Sequence, residues 1–348
     1  MEKFEKPFII PVFIPNQGCP HQCVFCNQSS IAGAKWSIPS HEQIASLINE
    51  HLDFKGEKRH KAEIAFFGGN FLGLKDDVVQ DLLSCALEFV LAGKIDSIRF
   101  STRPDTISNN RLNAIEKYPV LTIEIGAQSM DDTVLKKSNR GHTAKDTSNA
   151  LNLLKERKYK TGIQMMAGLP GDDDAKLTDT TYKIINLHPD FVRIYPTIVL
   201  ADSPLGVLYK NKKYQPLSLE QSVSLVKKIY LLFNKNNIPV IRMGLQPTEE
   251  LNYGDTILAG PYHPAFGHLV YSEIFLDGII NFFESNARLP DKLVIYANPG
   301  DISKIRGIKN SNIRIISERF NPASIKIKPN NSLSQNTIIV NDAKIKIL

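Results

Sequence analysis

Hydrophobic and polar positions alternate along the first two thirds of the chain in a regular order. Short apolar runs of strand length stand at 8–14, 62–67, 97–101, 120–126, 161–168, 191–199 and 239–244. Longer stretches with apolar residues three and four positions apart, the spacing of a helix face, separate these runs. Strands that alternate with helices in this way predict repeated βα units and a parallel sheet.

The ends of the amphipathic stretches carry helix signals. Ser40 followed by Gln43 predicts a capping box at the start of the first helix, and Gly93 predicts the end of the second. Six or seven βα units over this length predict an α/β fold of the partial (β/α)6-type TIM barrel class. A doubly wound open sheet is the alternative architecture.

The pattern changes after residue 287. Shorter runs, "KLVIYANP", "IRIISE", "SIKIKP" and "TIIVNDAKIKIL", predict strands joined by Asn-rich turns. We therefore expect a barrel over residues 1–287 and a small basic C-terminal α/β extension over residues 288–348.

The positive charge of the chain is concentrated in this extension. The net charge is +6, yet eleven Lys and Arg against four Asp and Glu lie between Arg288 and Leu348, which leaves the preceding part nearly neutral. A basic unit suits a nucleic-acid partner. The equal alternative is that its lysines protect exposed strand edges.

The N-terminus lacks a signal-peptide pattern and no apolar run is long enough for a bilayer, so we expect a cytoplasmic protein with no membrane partner.

Three of the four cysteines stand in the stretch "GCPHQCVFCNQ", with the spacing C-x3-C-x2-C. In a reducing compartment such a group indicates metal or redox chemistry. Three thiolates, Cys19, Cys23 and Cys26, suit an iron–sulfur cluster with one iron left open. Zinc is the alternative, because His21 could complete a Cys3His site. Cys85 lies among leucines and is expected to be a core residue.

Further candidate residues stand where the predicted strands end, which is the active-site edge of a barrel. Two glycines let a backbone approach a ligand closely, and Glu124 in an apolar strand needs either a ligand or a structural partner such as Arg99 or Arg140. The forked donors of Arg140 suit a carboxylate. The candidates are Gly68, Gly69, Ser101, Arg103, Glu124, Gln128 and Arg140 around a cofactor, with Tyr262 and His263 on the substrate side.

The cysteine spacing, with Phe25 before the last cysteine, resembles the radical S-adenosylmethionine (SAM) superfamily. The resemblance implies a 4Fe-4S cluster on the three cysteines, whose open iron binds S-adenosyl-L-methionine. It also implies cleavage of that cofactor to a 5′-deoxyadenosyl radical, with contact between the Gly68–Gly69 pair and the methionine amino group. A flavodoxin or ferredoxin type of electron donor is the implied partner.

Taken in order, the segments "STRPD", "IEIGAQSMDD", "SNRGHT", "MMAGLPGD", "RIYPTIVL", "RMGLQPT" and "GPYHPAFGHLV" resemble the radical domain of the Elongator complex catalytic subunit and its short bacterial relatives. This resemblance covers about residues 8 to 275 and implies tRNA as the substrate. The remaining residues give no sign of the acetyltransferase domain of that subunit. Two alternatives stay open: a radical enzyme that acts on a small molecule, as porphyrinogen oxidases do, and a nucleic-acid-binding protein with a structural metal site.

Overall fold

The seven predicted strands form one sheet. The computed structural model describes residues 7–14, 18–27, 38–56, 61–247, 256–285 and 292–348. These seven predicted strands are confirmed, although the run 191–199 is interrupted after Pro196 and its end forms a separate short strand, β7. The strands are β1 (Phe8–Ile14), β2 (Ala62–Gly68), β3 (Ser97–Thr102), β4 (Val120–Gln128), β5 (Lys160–Ala167), β6 (Phe191–Pro196), β7 (Val199–Leu200) and β8 (Val240–Met243).

Neighbouring strands of the large sheet follow the order of the chain, β1-β2-β3-β4-β5-β6-β8, and every pair is parallel. A doubly wound sheet reverses its strand order at a switch point. Because this sheet has no reversal, the doubly wound alternative is wrong. β1 and β8 do not pair with each other in the described residues, so the barrel is partial, and it has one strand more than the six-unit class implies.

Helices connect the strands, and polar side chains cap the first turn of each of them except the helix that begins at Asp76. The capping box of Ser40 and Gln43 is confirmed, and Thr143 with Asp146 forms a second one. Such caps satisfy N–H groups that have no partner inside a helix. The helices are α1 (His41–Lys55), α2 (Asp76–Leu91), α3 (Asn109–Ile115), α4 (Asp132–Lys137), α5 (Ala144–Glu156), α6 (Asp174–Asn186), α7 (Pro204–Lys210) and α8 (Leu219–Lys235).

A small α/β unit follows the barrel. A short strand, β9, first pairs antiparallel with β7. The last four strands then form a separate sheet of order β11-β10-β12-β13, in which only the β10–β11 pair is parallel. The elements of this region are β9 (Ile257–Ala259), α9 (Phe266–Glu284), β10 (Lys292–Ala297), α10 (Ile302–Arg306), α11 (Ser311–Phe320), β11 (Ser324–Pro329), β12 (Thr337–Val340) and β13 (Ala343–Lys346).

One predicted strand of this unit is wrong. The stretch "IRIISE" lies inside the helix α11. Its alternating isoleucines suggested a strand, but the two buried residues of the helix, Asn312 and Ile316, are four positions apart and so share a helix face. The Asn312 side chain donates a hydrogen bond to the carbonyl oxygen of Ser272, which fixes α11 against α9.

The helix α9 belongs to two hydrophobic cores. Val270 and Ile274, in its first half, pack in the core of the barrel. Phe275, Ile279 and Phe283 pack in the core of the C-terminal unit. The expected boundary at residues 287 and 288 lies outside the described residues. Although α9 is the longest of the described helices, neither it nor any other of them is long and apolar enough to cross a membrane.

Candidate active site

The three-cysteine loop, residues 18–27, follows β1 at the carboxyl edge of the parallel sheet. Its first residue, Gly18, has a φ of +76°, and a Cβ atom there would lie 2.5 Å from the carbonyl oxygen of Asn70. The side-chain amide of Asn70 donates a 2.7 Å hydrogen bond to the carbonyl oxygen of Gly18. Glycine is therefore required where the loop crosses the segment that follows β2.

The middle of the loop is held by two segments distant in sequence. The amide of Val24 donates to the carbonyl oxygen of Ser138 over 3.1 Å, and the amide of Leu205 donates to the carbonyl oxygen of Val24 over 2.7 Å. The Asn139 side chain donates to the carbonyl oxygen of Gln22, also over 2.7 Å. The loop is thus fixed by backbone contacts to the segment after α4 and to α7.

The three thiols lie in different environments. Cys23 is buried, whereas Cys19 and Cys26 are half-buried. Burial raises the pKa of Cys19 and the neighbouring Cys23 raises it further, while Arg103 and Arg140 lower it. In the described part of the chain, no group of three or more His, Cys, Asp or Glu side chains is arranged so that it could hold a metal ion. The structure therefore puts the thiols on one loop but does not gather their sulfurs around one centre.

Arg140 connects this loop to the sheet. Its Nη1 atom donates a 3.2 Å hydrogen bond to the sulfur of Cys23, and its Nη2 atom donates to the carbonyl oxygen of Gly126. Arg103 donates through Nη2 to the carbonyl oxygen of Arg140 and forms a forked pair, 2.9 Å at each branch, with the Asp105 carboxylate. Two buried guanidinium groups thus stand beside the cysteine loop.

Buried nitrogen atoms without a hydrogen-bond partner cluster at the same place. They are Nη1 of Arg103, Nε of Arg140 and Nδ1 of His142. Burial lowers the pKa of His142 to about 4, and the two guanidinium groups contribute to that decrease. The two guanidinium nitrogens are buried donors without partners, which are unusual in folded proteins and call for an acceptor, whereas Nδ1 of the neutral His142 ring, whose Nε2 donates to the carbonyl oxygen of Ala127, is itself an acceptor. This cationic surrounding therefore fits negatively charged ligands such as metal-bound thiolates.

The two residues considered as a fourth metal ligand are placed differently. Cys85 is 2% exposed within the core of the barrel, where burial raises the pKa of its thiol to about 11, so its prediction as a core residue is confirmed. His21 lies in the loop with its ring against Gly141, where an added Cβ atom would lie 2.1 Å from the ring. Cys85 is therefore a core residue and not a candidate metal ligand, while His21 faces the segment that carries Arg140.

The two glycines at the end of β2 lie at the carboxyl edge of the sheet, as the cysteine loop does. Gly68 ends β2 with a φ of +107°, and a Cβ atom there would lie 2.4 Å from the carbonyl oxygen of Ile14, the last residue of β1. Gly69 is half-buried directly beyond it. The backbone thus passes close to the start of the cysteine loop, as expected for a segment where main chain contacts a ligand.

Glu124 is fully buried and paired with protein groups. It forms ion pairs of 3.0 Å with Arg99 and 2.8 Å with Arg193. The side chain of Gln164 donates to its second oxygen over 2.8 Å and to the hydroxyl of Ser101 over 2.9 Å. The structure therefore contains the structural pairing with Arg99 that the sequence offered as the alternative to ligand binding.

This pairing extends across the interior of the partial barrel. Arg99 also binds the carboxylate of Glu63 on β2, so carboxylates and guanidinium groups alternate along neighbouring strands. Paired buried charges on adjacent strands stabilise one register and one arrangement of the barrel interior. Strand alternation gave the face of each residue but not its neighbours. Sequence reasoning consequently missed the roles of Glu63, Gln164 and Arg193.

Asn70 was also missed. Its side-chain oxygen accepts hydrogen bonds from the hydroxyls of Thr102 and Thr106 and from the amide of Arg103, at 2.7 to 2.9 Å. Its amide group donates to Gly18 at the start of the cysteine loop. One side chain therefore links the ends of β2 and β3 to that loop. The only sequence signal was its place after a Gly-Gly pair.

Gln128 ends β4 in a left-handed conformation, with a φ of +68°. A bulge between Gly126 and Gln128 breaks the simple alternation of β4. A Cβ atom on Gly126 would lie 3.1 Å from the Gln128 amide nitrogen and 3.5 Å from Nη2 of Arg140. The lack of a side chain at Gly126 therefore leaves space in which Gln128 and Arg140 approach each other.

Arg103 lies just beyond the end of its strand. The strand β3 ends at Thr102, so Arg103 stands in the turn that follows and does not continue the strand alternation from Ser101. It turns toward Asp105 and Arg140, away from the pair that Ser101 makes with Gln164. The cause is the short 3-10 turn that starts at Pro104.

Tyr262 and His263 stand in the segment between β9 and α9. Tyr262 packs against the small apolar cluster of Ile198 and Leu200, and burial raises the pKa of its hydroxyl. The Nδ1 atom of His263 accepts a 3.0 Å hydrogen bond from the amide of Ala265. These contacts hold the segment in place, and the role of both residues toward a substrate remains a prediction.

Two sequence-family comparisons agree with this geometry. The family described as the Radical SAM superfamily matches residues 13–181, which contain the cysteine loop, both glycines and both guanidinium groups. The Radical_SAM C-terminal domain matches residues 189–275. Together the two matches cover most of the chain up to α9.

Two curated relatives are similar to this chain at low identity. A tRNA uridine(34) acetyltransferase of Methanocaldococcus jannaschii is 25% identical over 63% of this chain and 47% of its own length. The Elongator complex protein 3 of Saccharomyces cerevisiae is 25% identical over 64% of this chain and 48% of its own length. The chain thus spans about half the length of these relatives.

A solved structure supports the fold. The archaeal Methanocaldococcus infernus Elp3 with an N-terminal deletion superimposes with a TM-score of 0.60 and 20% identity, over 81% of this chain and 68% of that one. The match agrees with a parallel sheet of seven strands that forms a partial barrel. With the two family matches and the cysteine loop at its carboxyl edge, the chain belongs to the Radical SAM superfamily of enzymes.

Proposed function

We propose that this chain is a tRNA-modifying radical SAM enzyme that holds a 4Fe-4S cluster on Cys19, Cys23 and Cys26. The observation that carries the proposal is the hydrogen bond from buried Arg140 to the sulfur of Cys23, in a loop at the carboxyl edge of the partial barrel. A guanidinium beside a sulfur stabilises the thiolate form, which is the form that ligates metals.

The residues present fit such a cluster by their chemistry. Thiolates are the usual ligands of iron–sulfur clusters, and three of them leave one metal position open for a second ligand. Arg103 and Arg140 provide positive charge beside the thiolates, and each has one buried nitrogen atom that still lacks an acceptor. Thiolates that hold a cluster would supply acceptors for these donors.

When bound, the cluster and S-adenosylmethionine supply a 5′-deoxyadenosyl radical that removes hydrogen from a substrate. The chain contributes position and electrostatics. Gly68 and Gly69 allow main chain to approach a ligand, and Gln128 and Ser101 offer polar groups at the same edge. Glu124 acts as a positioning residue in our proposal, because both of its oxygens already bind protein groups.

The substrate part of the proposal is supported by the names of two relatives, a tRNA uridine(34) acetyltransferase and the Elongator complex protein 3. Because the chain spans about half of their length, we extend to it only tRNA as the substrate class and the radical half of the chemistry. An electron donor of the flavodoxin or ferredoxin type and a cytoplasmic location complete the proposal.

Anaerobic reconstitution tests the cluster. With iron and sulfide, the wild type and the Cys85→Ala control should bind about four irons per chain. After reduction, both should release 5′-deoxyadenosine from S-adenosylmethionine. Changing Cys19, Cys23 or Cys26 to Ala should abolish both signals. A folded wild-type protein that binds four-coordinate zinc and releases no 5′-deoxyadenosine would contradict the proposal.

A second experiment tests the substrate. Modified nucleosides in tRNA from cells with and without the gene are compared by mass spectrometry, and a Cys23→Ala strain serves as the control for lost chemistry. We expect one modified nucleoside to disappear in both altered strains. Identical nucleoside profiles, together with intact 5′-deoxyadenosine production, would instead favour a small-molecule substrate.

A further inference from the structure

The C-terminal sheet has two contrasting faces. Side chains alternate across a strand, so every second residue points to the same side. One side is apolar and packs against α9 and α11. Its residues are Leu293, Ile295, Ala297, Ile325, Ile327, Ile338, Val340 and Ile345.

The other side carries a row that crosses all four strands. Lys328 on β11 is opposite Tyr296 on β10, Tyr296 is opposite Ile339 on β12, and Ile339 is opposite Lys344 on β13. Tyr296 and Ile339 are half-buried, and both lysines are exposed. The lysine nitrogen of Lys328 lies 5.8 Å from the centre of the Tyr296 ring. An aromatic ring is thus presented between two cationic edges, which lie about 14 Å apart at ordinary strand spacing.

The charges on this side all have the same sign. We name the side the lysine face and define it by its five exposed lysines and Tyr296. In the four strands described, no outward position of this face is acidic. The described acidic residues of the unit lie elsewhere, since Asp301 is buried against Lys304, Glu318 stands on α11, and Asp342 lies in the turn between β12 and β13. The five lysines are Lys292, Lys326, Lys328, Lys344 and Lys346.

Protection of strand edges explains only part of this arrangement. Four of the lysines do stand on β11 and β13, the edge strands, where charges discourage pairing with other chains. Charges of either sign would serve that purpose, however, and Lys292 stands on the inner strand β10. Edge protection also gives no reason for the half-exposed ring of Tyr296 between the lysines. Three features therefore need another explanation, namely the single sign of the charges, the position of Lys292 on an inner strand and the ring of Tyr296.

We infer that the lysine face binds RNA, and specifically the tRNA substrate, with its lysines on backbone phosphates and the Tyr296 ring against an unpaired base. Lysines near phosphates release counterions, which favours binding in a salt-dependent way. Unpaired bases stack on exposed aromatic rings of sheet surfaces. The inference rests on the proposed function, because it assumes that tRNA is the substrate.

Binding of an unmodified tRNA transcript to the full chain, measured at several salt concentrations, tests the inference. The double variant Lys326→Gln/Lys344→Gln removes one charge from each edge strand. Its matched control is Lys94→Gln/Lys117→Gln. This control removes two exposed lysines from the turns that precede β3 and β4, at the amino edge of the barrel sheet. Tyr296→Leu removes the ring, and Tyr296→Phe keeps it.

We expect the Lys326/Lys344 variant to reduce the slope of log affinity against log salt by about 1.4, while its control leaves the slope unchanged. Tyr296→Leu should weaken binding on the order of tenfold, and Tyr296→Phe should bind as the wild type does. Circular dichroism spectra that match the wild type show that each variant is folded. These results together support RNA binding by the lysine face.

Three outcomes overturn the inference. If tRNA binds all variants equally, RNA binds elsewhere, and the proposed function survives. If the wild type releases 5′-deoxyadenosine but does not bind tRNA, the tRNA part of the proposed function fails together with the inference. If the lysine variants lose binding to vesicles rich in phosphatidylserine while tRNA binding is unchanged, the face recognises an anionic membrane surface instead.

Discussion

The guanidinium group of Arg140 donates a hydrogen bond to the sulfur of Cys23 over 3.2 Å, although 117 positions separate the two residues in the sequence. The same guanidinium binds the main chain of Gly126 at the bulge of β4. Arg140 therefore joins the cysteine loop to a central strand of the sheet. Its positive charge thus lies directly against one of the three sulfurs of the loop.

Replacement of Arg140 by Gln should reduce iron retention and slow 5′-deoxyadenosine release at least tenfold, because the sulfur of Cys23 loses its cationic partner. Arg140→Lys should recover part of the iron content, since lysine keeps the positive charge but not the two-branched donor group of the guanidinium. Iron and sulfide analysis after reconstitution measures the effect. Arg157→Gln, at the half-buried position that follows α5, is the control. Full iron content in Arg140→Gln would rule out this role.

Replacement of Glu124 by Ala should lower the free energy of unfolding by about 3–5 kcal/mol, because Arg193 would be left buried without its carboxylate partner and Arg99 would keep only Glu63. Urea denaturation measures the change. Glu116→Ala, at an exposed site after α3, should have little effect. If Glu124→Ala keeps wild-type stability but loses S-adenosylmethionine binding, Glu124 is a ligand residue and not a positioning residue.

Replacement of Gly68 by Ala should disrupt the end of β2, because the new Cβ atom would meet the carbonyl oxygen of Ile14 at 2.4 Å. We expect a loss of roughly 2–4 kcal/mol in stability and poor cluster loading, since backbone must move and φ is unfavourable. Gly93→Ala is the matched control, because its φ is also positive but nothing lies within 4 Å of the added atom. Equal stability losses at both positions would show that contact with β1 is unimportant.

The apoprotein should lose stability as the pH falls from about 6.5 to 4. The folded state lowers the pKa of His142 to about 4, so the unfolded chain binds a proton first and is favoured on acidification. The contribution reaches about 3 kcal/mol at the low end of this window. His142→Gln should remove this part of the pH dependence in urea titrations, whereas the exposed control His188→Asn should keep it. An unchanged pH profile in His142→Gln would contradict this account.

Local patterns predicted much of the fold. The strand runs and the capping box of Ser40 depend on neighbours within a few residues, and the structure confirms them. The stretch "IRIISE" misled because its side chains alternate as in a strand, while the burial of Asn312 and Ile316 four residues apart favours a helix. Tertiary packing against α9 decided between the two periods.

The site was predictable only in part, for a related reason. A strand pattern places Glu124 on one face but gives no register with β6, so the pairing with Arg193 could not be derived. Likewise, the contact of Arg140 with Cys23 joins segments that meet only in the folded sheet. Spacing identified the cysteine loop because its residues are close in sequence.

The sharing of α9 between two cores has a mechanical consequence. Units joined by a linker generally swing relative to each other unless a large apolar interface prevents it. Here one continuous helix of 19 residues, about 28 Å long, contributes Val270 and Ile274 to one core and Ile279 and Phe283 to the other. A hinge at this place would require breaking the helix. The helix therefore forms a rigid connection between the two cores. A displacement of the C-terminal sheet would also displace the open edge of the barrel.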